Sequence, residues 1–267
     1  AEDIIPKLIK HHDITHVFWQ RRYHGQGRET DQALKSKLKA EGVTCVSFPG
    51  YLLSEPCDVM NKNGDHFKVF RAFQSRIPTF GKPYHPMPAP LSINFHQGLA
   101  ALSEPLDSYN LLPKHPDWAE GLRQRWTPGE QTALKVFEDF LNHDLKGYKV
   151  DRDYPFLDAT SHLSPHLRWG EISVRQIWHT IETYLVAHHL NAAATEKFLT
   201  ELKWRDFSHY TSFHYPTLPH QAQRQEWNSF PWKENATFLK AWQKGLTGYP
   251  MVDAGMRELY HTGYLPN

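Results

Sequence analysis

The first fifty residues alternate between two hydrophobic periods. Residues 3–12 repeat apolar positions at helical spacing, the run 14–19 is apolar and β-rich, residues 28–41 are helical up to Gly42, and residues 43–48 form a second apolar run. Strand, helix and strand patterns with short connections predict a parallel β-α-β unit with a right-handed crossover. A parallel sheet needs more than two strands and cover on both faces. The sequence therefore indicates part of an α/β domain; the alternative is a two-stranded decoration on a helical protein.

The pattern changes after residue 65. Residues 66–79 predict one further amphipathic helix, and the proline-dense stretch from Pro78 to Pro116 predicts an irregular linker. Beyond this stretch, long periodic segments predict an all-α half. These segments are 128–145, 172–190, 192–214, 234–244 and 250–262. The predicted fold class is α/β plus all-α, with a partial Rossmann-like domain at 1–80, a linker at 81–116 and a helical domain at 117–267.

Composition narrows the class of protein. The 267 residues carry a net charge of +1, which excludes a strongly basic nucleic-acid tail. No apolar run approaches the roughly 18 residues that a membrane span needs, so no membrane association is predicted. The two cysteines suit a reducing compartment, and the absence of chelating motifs from the sequence predicts no metal. Nine Trp and 18 His indicate stacking surfaces or a bound aromatic cofactor.

Three hydroxyl side chains lie close together before a helical pattern, at Thr160, Ser161 and Ser164. Hydroxyls and free backbone N–H groups at the start of a helix can hold an anionic phosphate. The alternative is ordinary helix capping, because Ser and Thr are favoured N-caps. The segment alone does not decide between the two.

A second segment, Glu201 to Phe207, places a carboxylate, an indole and a guanidinium on neighbouring helical positions. Glu201 and Arg205 are four residues apart on one face, with Trp204 beside them. One interpretation is a surface ion pair next to a buried Trp, which would contribute little. The other is a carboxylate and an indole that line one cavity. A third segment, from Thr247, predicts a turn, a proline-started helix and an end at a glycine.

Taken together, these segments resemble the cryptochrome/photolyase family. The resemblance lies in T-S-x-L-S-P-x-L from Thr160, E-L-x-W-R-D-F from Glu201 and T-G-Y-P-x-V-D-A-x-M-R-E-L from Thr247. The order and spacing of these motifs hold over essentially the whole chain. Within the family, the T-S-x-L-S-P-H-L and F-P-W stretches are most similar to bacterial class I cyclobutane pyrimidine dimer photolyases.

The resemblance implies an N-terminal domain for an antenna chromophore and a helical domain that holds FAD. The antenna could be folate or deazaflavin. In the family a pair of polar residues binds folate, and one position of this pair falls on Gly27, which has no side chain to bind it; this disfavours folate. The residues that the resemblance assigns to FAD are Tyr148, Thr160, Ser161, Leu163, Ser164, Phe198, Glu201, Arg205 and Asn267. Phe198 stands where many relatives have Trp, and an aromatic side chain is retained.

The resemblance also implies light-driven DNA repair, in which reduced FAD passes an electron to a cyclobutane pyrimidine dimer. Glu201, Trp204 and Asn267 would be catalytic, and together with Arg152 they would contact UV-damaged DNA that has left the duplex stack. Trp232 would lie at the surface end of a tryptophan electron-transfer chain. A blue-light receptor of cryptochrome type without repair activity is the alternative, and a folded remnant without activity is a third possibility.

The family's fold extends beyond this sequence at both ends, so the resemblance implies a fragment. Because such a fragment contains only part of the FAD-binding domain, we expect this polypeptide alone to bind FAD weakly or not at all. The complete protein is expected to be a monomer in the bacterial cytoplasm that acts at the nucleoid.

Overall fold

The structure is a computed structural model that describes residues 2–77, 82–95 and 103–266. Backbone contacts divide the chain into two compact units. The first unit consists of Ala1–Pro86 with Ala133–Phe230, and the second of Met87–Thr132 with Pro231–Asn267. All but two of the predicted site residues belong to the first unit.

The first unit begins with the α/β pattern. Its elements are α1 (Ile4–His11), β1 (His16–Gln20), α2 (Gly25–Ala40) and β2 (Thr44–Phe48). The strands are parallel, with His16 opposite Thr44 and Gln20 opposite Phe48. The predicted β-α-β unit is therefore confirmed, with differences of a few residues at its element ends.

The crossover helix α2 is held on the strands by a short apolar stripe. Leu34 and Leu38 are its buried residues and pack in one cluster with Val43 and Cys45. The helix ends just before Gly42, whose φ of 82° lies in the left-handed region that a residue without a Cβ adopts readily. The sharp turn leads the chain directly into β2.

The helix predicted over residues 66–79 is shorter in the structure. Helix α3 spans Phe70–Arg76, and the last residues of the predicted range lie outside the described part of the chain. Val69 is extended, with φ −131° and ψ 133°. The Phe67 amide donates to the Tyr210 hydroxyl at 2.8 Å. Because Val69 is extended, the helix begins only at Phe70, and the prediction of a helix from residue 66 was wrong.

The proline-dense stretch is mainly irregular, as predicted. Among its described residues, 82–95 and 103–116, the structure has one 3₁₀ helix, at Leu106–Tyr109. A short helix follows, α4 (Glu120–Arg125), which the sequence pattern did not predict. Its six residues are too few to show a helical period clearly.

The remaining part of the chain is helical. Its helices are α5 (Glu130–His143), α6 (Tyr148–Asp151), α7 (Ser164–Trp169), α8 (Val174–Ala187), α9 (Glu196–His214), α10 (Ala236–Gln243) and α11 (Pro250–Thr262), with 3₁₀ helices at Ala192–Ala194 and Gln225–Ser229. The long helices predicted from periodicity are all present. A parallel α/β part followed by a helical part is thus the observed fold class. Among the described residues, no helix combines the length and apolarity needed to cross a membrane.

One hydrophobic cluster joins the helices of the first unit. Phe137 and Phe140 of α5, Ile177 and Ile181 of α8, and Phe198 of α9 are all at most 4% exposed. Burying side chains of this size contributes about 1.5–3 kcal/mol each. The cluster fixes α9 against α5 and α8, and so sets the position of the residues that α9 presents outside the core.

In the second unit, α11 packs against α4. The Trp126 indole N–H donates to the Thr262 carbonyl at 2.6 Å. Gly121 lies so close to the His261 carbonyl that a Cβ would be 2.2 Å from its oxygen. A larger residue at position 121 would therefore push the two helices apart.

Candidate cofactor and DNA site

Helix α9 presents a carboxylate, Glu201, whose side chain is 21% exposed. Its Oε1 atom lies 2.8 Å from Arg152 Nη1 and 2.6 Å from Lys197 Nζ. Arg152 is directly beyond α6, and Lys197 is one turn earlier on α9. The surface pair that the sequence suggested between Glu201 and Arg205 is therefore replaced by two other cations on one carboxylate oxygen.

The indole of Trp204 lies one turn further along α9 and is 43% exposed. One face stacks on Phe70 of α3, with ring centroids 3.6 Å apart and planes 12° from parallel. Phe207 meets the indole edge-on at 5.9 Å. Trp204 is therefore not the buried residue of the ion-pair interpretation, but a supported ring with part of its surface open.

Arg205 is directed toward the segment that follows β2. Its Nη1 donates to the Tyr51 carbonyl at 2.8 Å, and its guanidinium carbon lies 4.2 Å from the centre of the Tyr51 ring. Arg175 of α8 donates to the neighbouring Leu52 carbonyl at 3.3 Å. In this structure Arg205 therefore anchors the α/β segment to the helical part of the first unit.

Asp206 contributes to the same anchor from a fully buried position. Its Oδ2 accepts the Ser54 amide at 2.9 Å, and Asp206 is only 1% exposed. Burial, partly offset by the Ser54 amide and the nearby Arg205, raises the pKa of Asp206 to about 7. The carboxyl is therefore a titratable group inside the first unit, and sequence reasoning did not single it out.

Three of the residues assigned to FAD lie in the hydrophobic core. Tyr148, Leu163 and Phe198 are 7%, 1% and 4% exposed. The rings of Tyr148 and Phe198 meet edge-to-face at 5.4 Å. These side chains form packed structure beneath the candidate site, and the Tyr148 hydroxyl also accepts a hydrogen bond from Arg152 Nη1 at 3.1 Å.

The hydroxyl segment precedes α7. Thr160 and Ser161 are half-buried, and Ser164, the first residue of α7, is exposed. The N-cap position of α7 is occupied by Leu163, which has no side-chain acceptor. The N-cap residue of α7 thus makes no side-chain cap contact, whereas at the start of α8 the Ser173 hydroxyl accepts the Gln176 amide.

The side chain of Arg152 is largely enclosed. It is 11% exposed and contacts Glu201 and, at 3.6 Å, Asp153. A contact between Arg152 and DNA would require the guanidinium to turn outward.

The third motif forms a locked turn in the second unit. Asp253 Oδ1 accepts both the amide and the hydroxyl of Thr247 at 2.7 Å, and Oδ2 accepts the Gly248 amide at 3.0 Å. These contacts, the Thr247 hydroxyl first among them, hold the pKa of Asp253 below its ordinary value. Helix α11 then starts with Pro250 and ends at Gly263, which has a φ of 69°. The predicted turn, proline start and glycine end are all confirmed.

Two predicted site residues do not lie in the described part of the first unit. Trp232 belongs to the second unit and is 80% exposed. Asn267 lies outside the described residues. The structure therefore brings together Glu201, Trp204 and Arg152, while Trp232 is assigned only a surface position in its own unit.

Sequence reasoning missed two residues that touch the site, Lys197 and Phe70. The spacing of Lys197 and Glu201, four residues on a helix, was a signal available in the sequence. Phe70 is 134 positions before Trp204, so no local pattern could have paired the two rings.

Two family profiles match the chain. Residues 1–91 match the profile described as DNA photolyase. Residues 198–267 match the profile described as the FAD binding domain of DNA photolyase.

Individual relatives agree with the profiles. A deoxyribodipyrimidine photo-lyase from Agrobacterium fabrum is 39% identical over 267 residues, which are 100% of this chain and 55% of that protein. Cryptochrome-1 of Arabidopsis thaliana is 33% identical and aligns with 97% of this chain and 38% of its own length. The crystal structure of a bacterial class III photolyase from Agrobacterium tumefaciens matches with a TM-score of 0.88 at 38% identity, over 100% of this chain and 55% of that one.

The chain belongs to the photolyase/cryptochrome family, and its C-terminal segment is part of that family's FAD-binding domain. It spans about half the length of the photolyase relatives that it matches. The predicted family is confirmed. The predicted likeness to class I photolyases stays a prediction. The matched crystal structure from Agrobacterium tumefaciens is described as a class III photolyase.

Proposed function

We propose that this chain is part of a light-driven DNA-repair lyase that splits cyclobutane pyrimidine dimers in UV-damaged DNA. The observation that carries the proposal is the pairing, one helical turn apart on α9, of the Glu201 carboxylate with the partly open Trp204 ring. A flat apolar surface beside a charged acceptor suits a pyrimidine, which has two flat faces and a polar edge.

Trp204 would be the stacking surface for the flipped bases. Because Phe70 supports one face of the indole, the ring is preorganised. Stacking on such a ring contributes about 1–3 kcal/mol per base. A dimer is poorly stacked in its duplex, which lowers the energy needed to bring it to this surface.

Glu201 would recognise the polar edge of the lesion. As a carboxylate between two cations it accepts hydrogen bonds, so it can take a ring N–H of a pyrimidine. A contact to a pyrimidine carbonyl requires Glu201 to carry a proton. In that protonated form its O–H would donate to the carbonyl and stabilise the negative charge that develops on the lesion only after electron transfer.

The residues assigned to FAD fit that cofactor by their chemistry. Thr160, Ser161 and Ser164 offer neutral donors for its phosphates at a helix start. Tyr148, Phe198 and Leu163 form a rigid apolar base under the site. Reduced FAD, when bound, supplies the electron that opens the dimer and takes it back afterwards. Arg205, anchored on Tyr51, would support this region indirectly.

The remaining assignments complete the proposal. Trp232, exposed in the second unit, would pass electrons between the surface and the cofactor. Asn267 would line the lesion cavity, and Arg152 would bind a DNA phosphate. We propose that the complete protein is a cytoplasmic monomer that acts at the nucleoid and carries an antenna of folate or deazaflavin type.

We also propose the domain division 1–80, 81–116 and 117–267. The support for it is that the two family profiles match opposite ends of the chain, residues 1–91 and 198–267, and that the proline-dense stretch begins near the end of the first match and ends before the second.

Illumination of a defined lesion tests the function. The complete protein is incubated with FAD under reducing conditions and with an oligonucleotide that contains one thymine dimer, and dimer loss is measured by chromatography with and without blue light. We expect light-dependent loss in the wild type, and a larger effect of Glu201→Ala on splitting than on binding. Intact dimers after illumination of a flavin-loaded sample would refute the repair function.

A photoreceptor function is the second candidate, since a plant cryptochrome is 33% identical to the chain. It would show flavin photoreduction without any loss of dimers in the same assay. The combination of Glu201, Trp204 and Arg152 on one surface favours repair, because these groups address a damaged base and its phosphate.

A further inference from the structure

Two cations converge on a single carboxylate oxygen in the first unit. Arg152 Nη1 and Lys197 Nζ lie 2.8 and 2.6 Å from Glu201 Oε1. Arg152 and Glu201 are largely enclosed, at 11% and 21% exposure of their side chains, whereas the Lys197 side chain is 37% exposed. The carboxylate therefore has one buried partner and one that reaches solvent.

The proposed function gives Arg152 two incompatible partners. Its Nη1 is engaged by Glu201 and by the Tyr148 hydroxyl, and because its side chain is only 11% exposed, the guanidinium can reach a DNA phosphate only after turning outward. Removing one partner of an enclosed ion pair is costly, because the other charge is left without compensation. Arg152 can leave at low cost only if another cation stays on Glu201.

Lys197 has the geometry of that second cation. It lies in the first turn of α9, where the helix dipole disfavours positive charge. Its order relative to Glu201, Lys before Glu, is also the less favourable one for helix stability. Neither effect explains a lysine here, whereas its contact with Glu201 does.

We propose that Lys197 is a positioning residue that holds the Glu201 carboxylate in place while Arg152 exchanges this carboxylate for a phosphate of the DNA. The inference rests on the proposed function. In the free protein both cations contact Glu201; in the complex Lys197 alone compensates it, and Arg152 contributes one phosphate contact. Lys197 thereby acts through Glu201 and does not itself touch the DNA.

The salt dependence of DNA binding tests this exchange. Each phosphate contact on duplex DNA changes the slope of log K against log salt by about 0.9. The affinity of the full chain for a dimer-containing duplex is measured by fluorescence anisotropy over a series of KCl concentrations. Lys197→Met should reduce the slope by about 0.9, because Arg152 stays on Glu201. Lys197→Arg should restore the wild-type slope.

A double-mutant cycle separates positioning from direct contact with DNA. In a Glu201→Gln background the charge at position 201 no longer retains Arg152, and the Asp153 contact is the same in both variants, so adding Lys197→Met should leave the slope unchanged. If Lys197 itself bound a phosphate, the slope would fall equally in both backgrounds, and the inference would be overturned. Lys203→Met is the matched control, since Lys203 is on the same helix but lies over the Trp178 ring, 5.6 Å from its centre. It should behave as wild type.

The failure of the proposed function would look different. If the wild type had no preference for dimer-containing DNA, the function and this inference would both be overturned. If the wild type preferred the lesion and Lys197→Met had the wild-type slope, only the role of Lys197 would be lost.

Discussion

Phe70 and Trp204 stack face to face, with their ring centroids 3.6 Å apart and their planes 12° from parallel. Phe70 is 9% exposed and Trp204 is 43% exposed, so the pair joins the core of the first unit to its surface. A supported indole loses little freedom when a base stacks on it, and this is a source of affinity. The relationship makes Trp204 the most direct target for a binding experiment.

Trp204→Ala should weaken binding of a dimer-containing oligonucleotide by about 5- to 150-fold, which corresponds to the 1–3 kcal/mol of one stacked base. Anisotropy titration at fixed salt measures the change. Trp169→Ala is the control, since Trp169 is 77% exposed and lies at the end of α7. Equal losses for the two variants would contradict a specific role for Trp204.

The stability of the first unit should depend on pH through Asp206. Burial raises the pKa of this carboxyl to about 7, from 3.8. Between these values the folded protein holds a proton that the unfolded chain releases, so this group's contribution to stability falls as the pH rises from about 4 to 7. Asp206→Asn resembles the protonated form. The melting temperature of this variant minus that of the wild type should therefore be higher at pH 8 than at pH 5.

The exposed Asp139 of α5 provides the control for that titration. Asp139→Asn should leave the difference between the melting temperatures at pH 5 and pH 8 as in the wild type. If Asp206→Asn also left this difference unchanged, Asp206 would not titrate in the folded protein over this range.

The turn at Thr247 and Gly248 should open in Asp253→Asn. The carboxylate accepts three donors from these two residues, and an amide has only one acceptor oxygen. Hydrogen exchange of the two amides, followed by NMR, should become faster. The pKa of Asp253 is lowered by the same contacts, so in the wild type this protection should be present near neutral pH and lost as the pH falls. Glu258→Gln, on the exposed part of α11, should leave both amides protected.

Phe198→Ala should destabilise the first unit by about 3–5 kcal/mol, the usual cost of removing a buried aromatic side chain. Phe198 is 4% exposed and packs against Phe140 and Tyr148 at centroid distances of 4.8 and 5.4 Å. Urea denaturation measures the loss. Phe156→Ala is the control, because Phe156 is 80% exposed. A loss below about 1 kcal/mol for Phe198→Ala would show that this position is not part of the core.

Much of the fold was predictable from local patterns. The strands β1 and β2 and the long helices follow from short-range periodicity, since burying one face of an element selects apolar residues at its own repeat. Helix α3 shows where this reasoning ends. Its first predicted turn is absent: Val69 is extended and the Phe67 amide donates to Tyr210, a residue 143 positions away, and a tertiary contact of this kind leaves no local trace.

The sequence by itself determined the family and the placement of Glu201 and Trp204 one turn apart, because helical spacing is a property of neighbouring residues. Only the tertiary structure decided what surrounds them. Arg152 reaches Glu201 across 49 positions, Phe70 supports Trp204, and Arg205 turns to Tyr51 across 154 positions. Such contacts depend on which helices pack together, and packing is set by the whole hydrophobic core rather than by any segment alone.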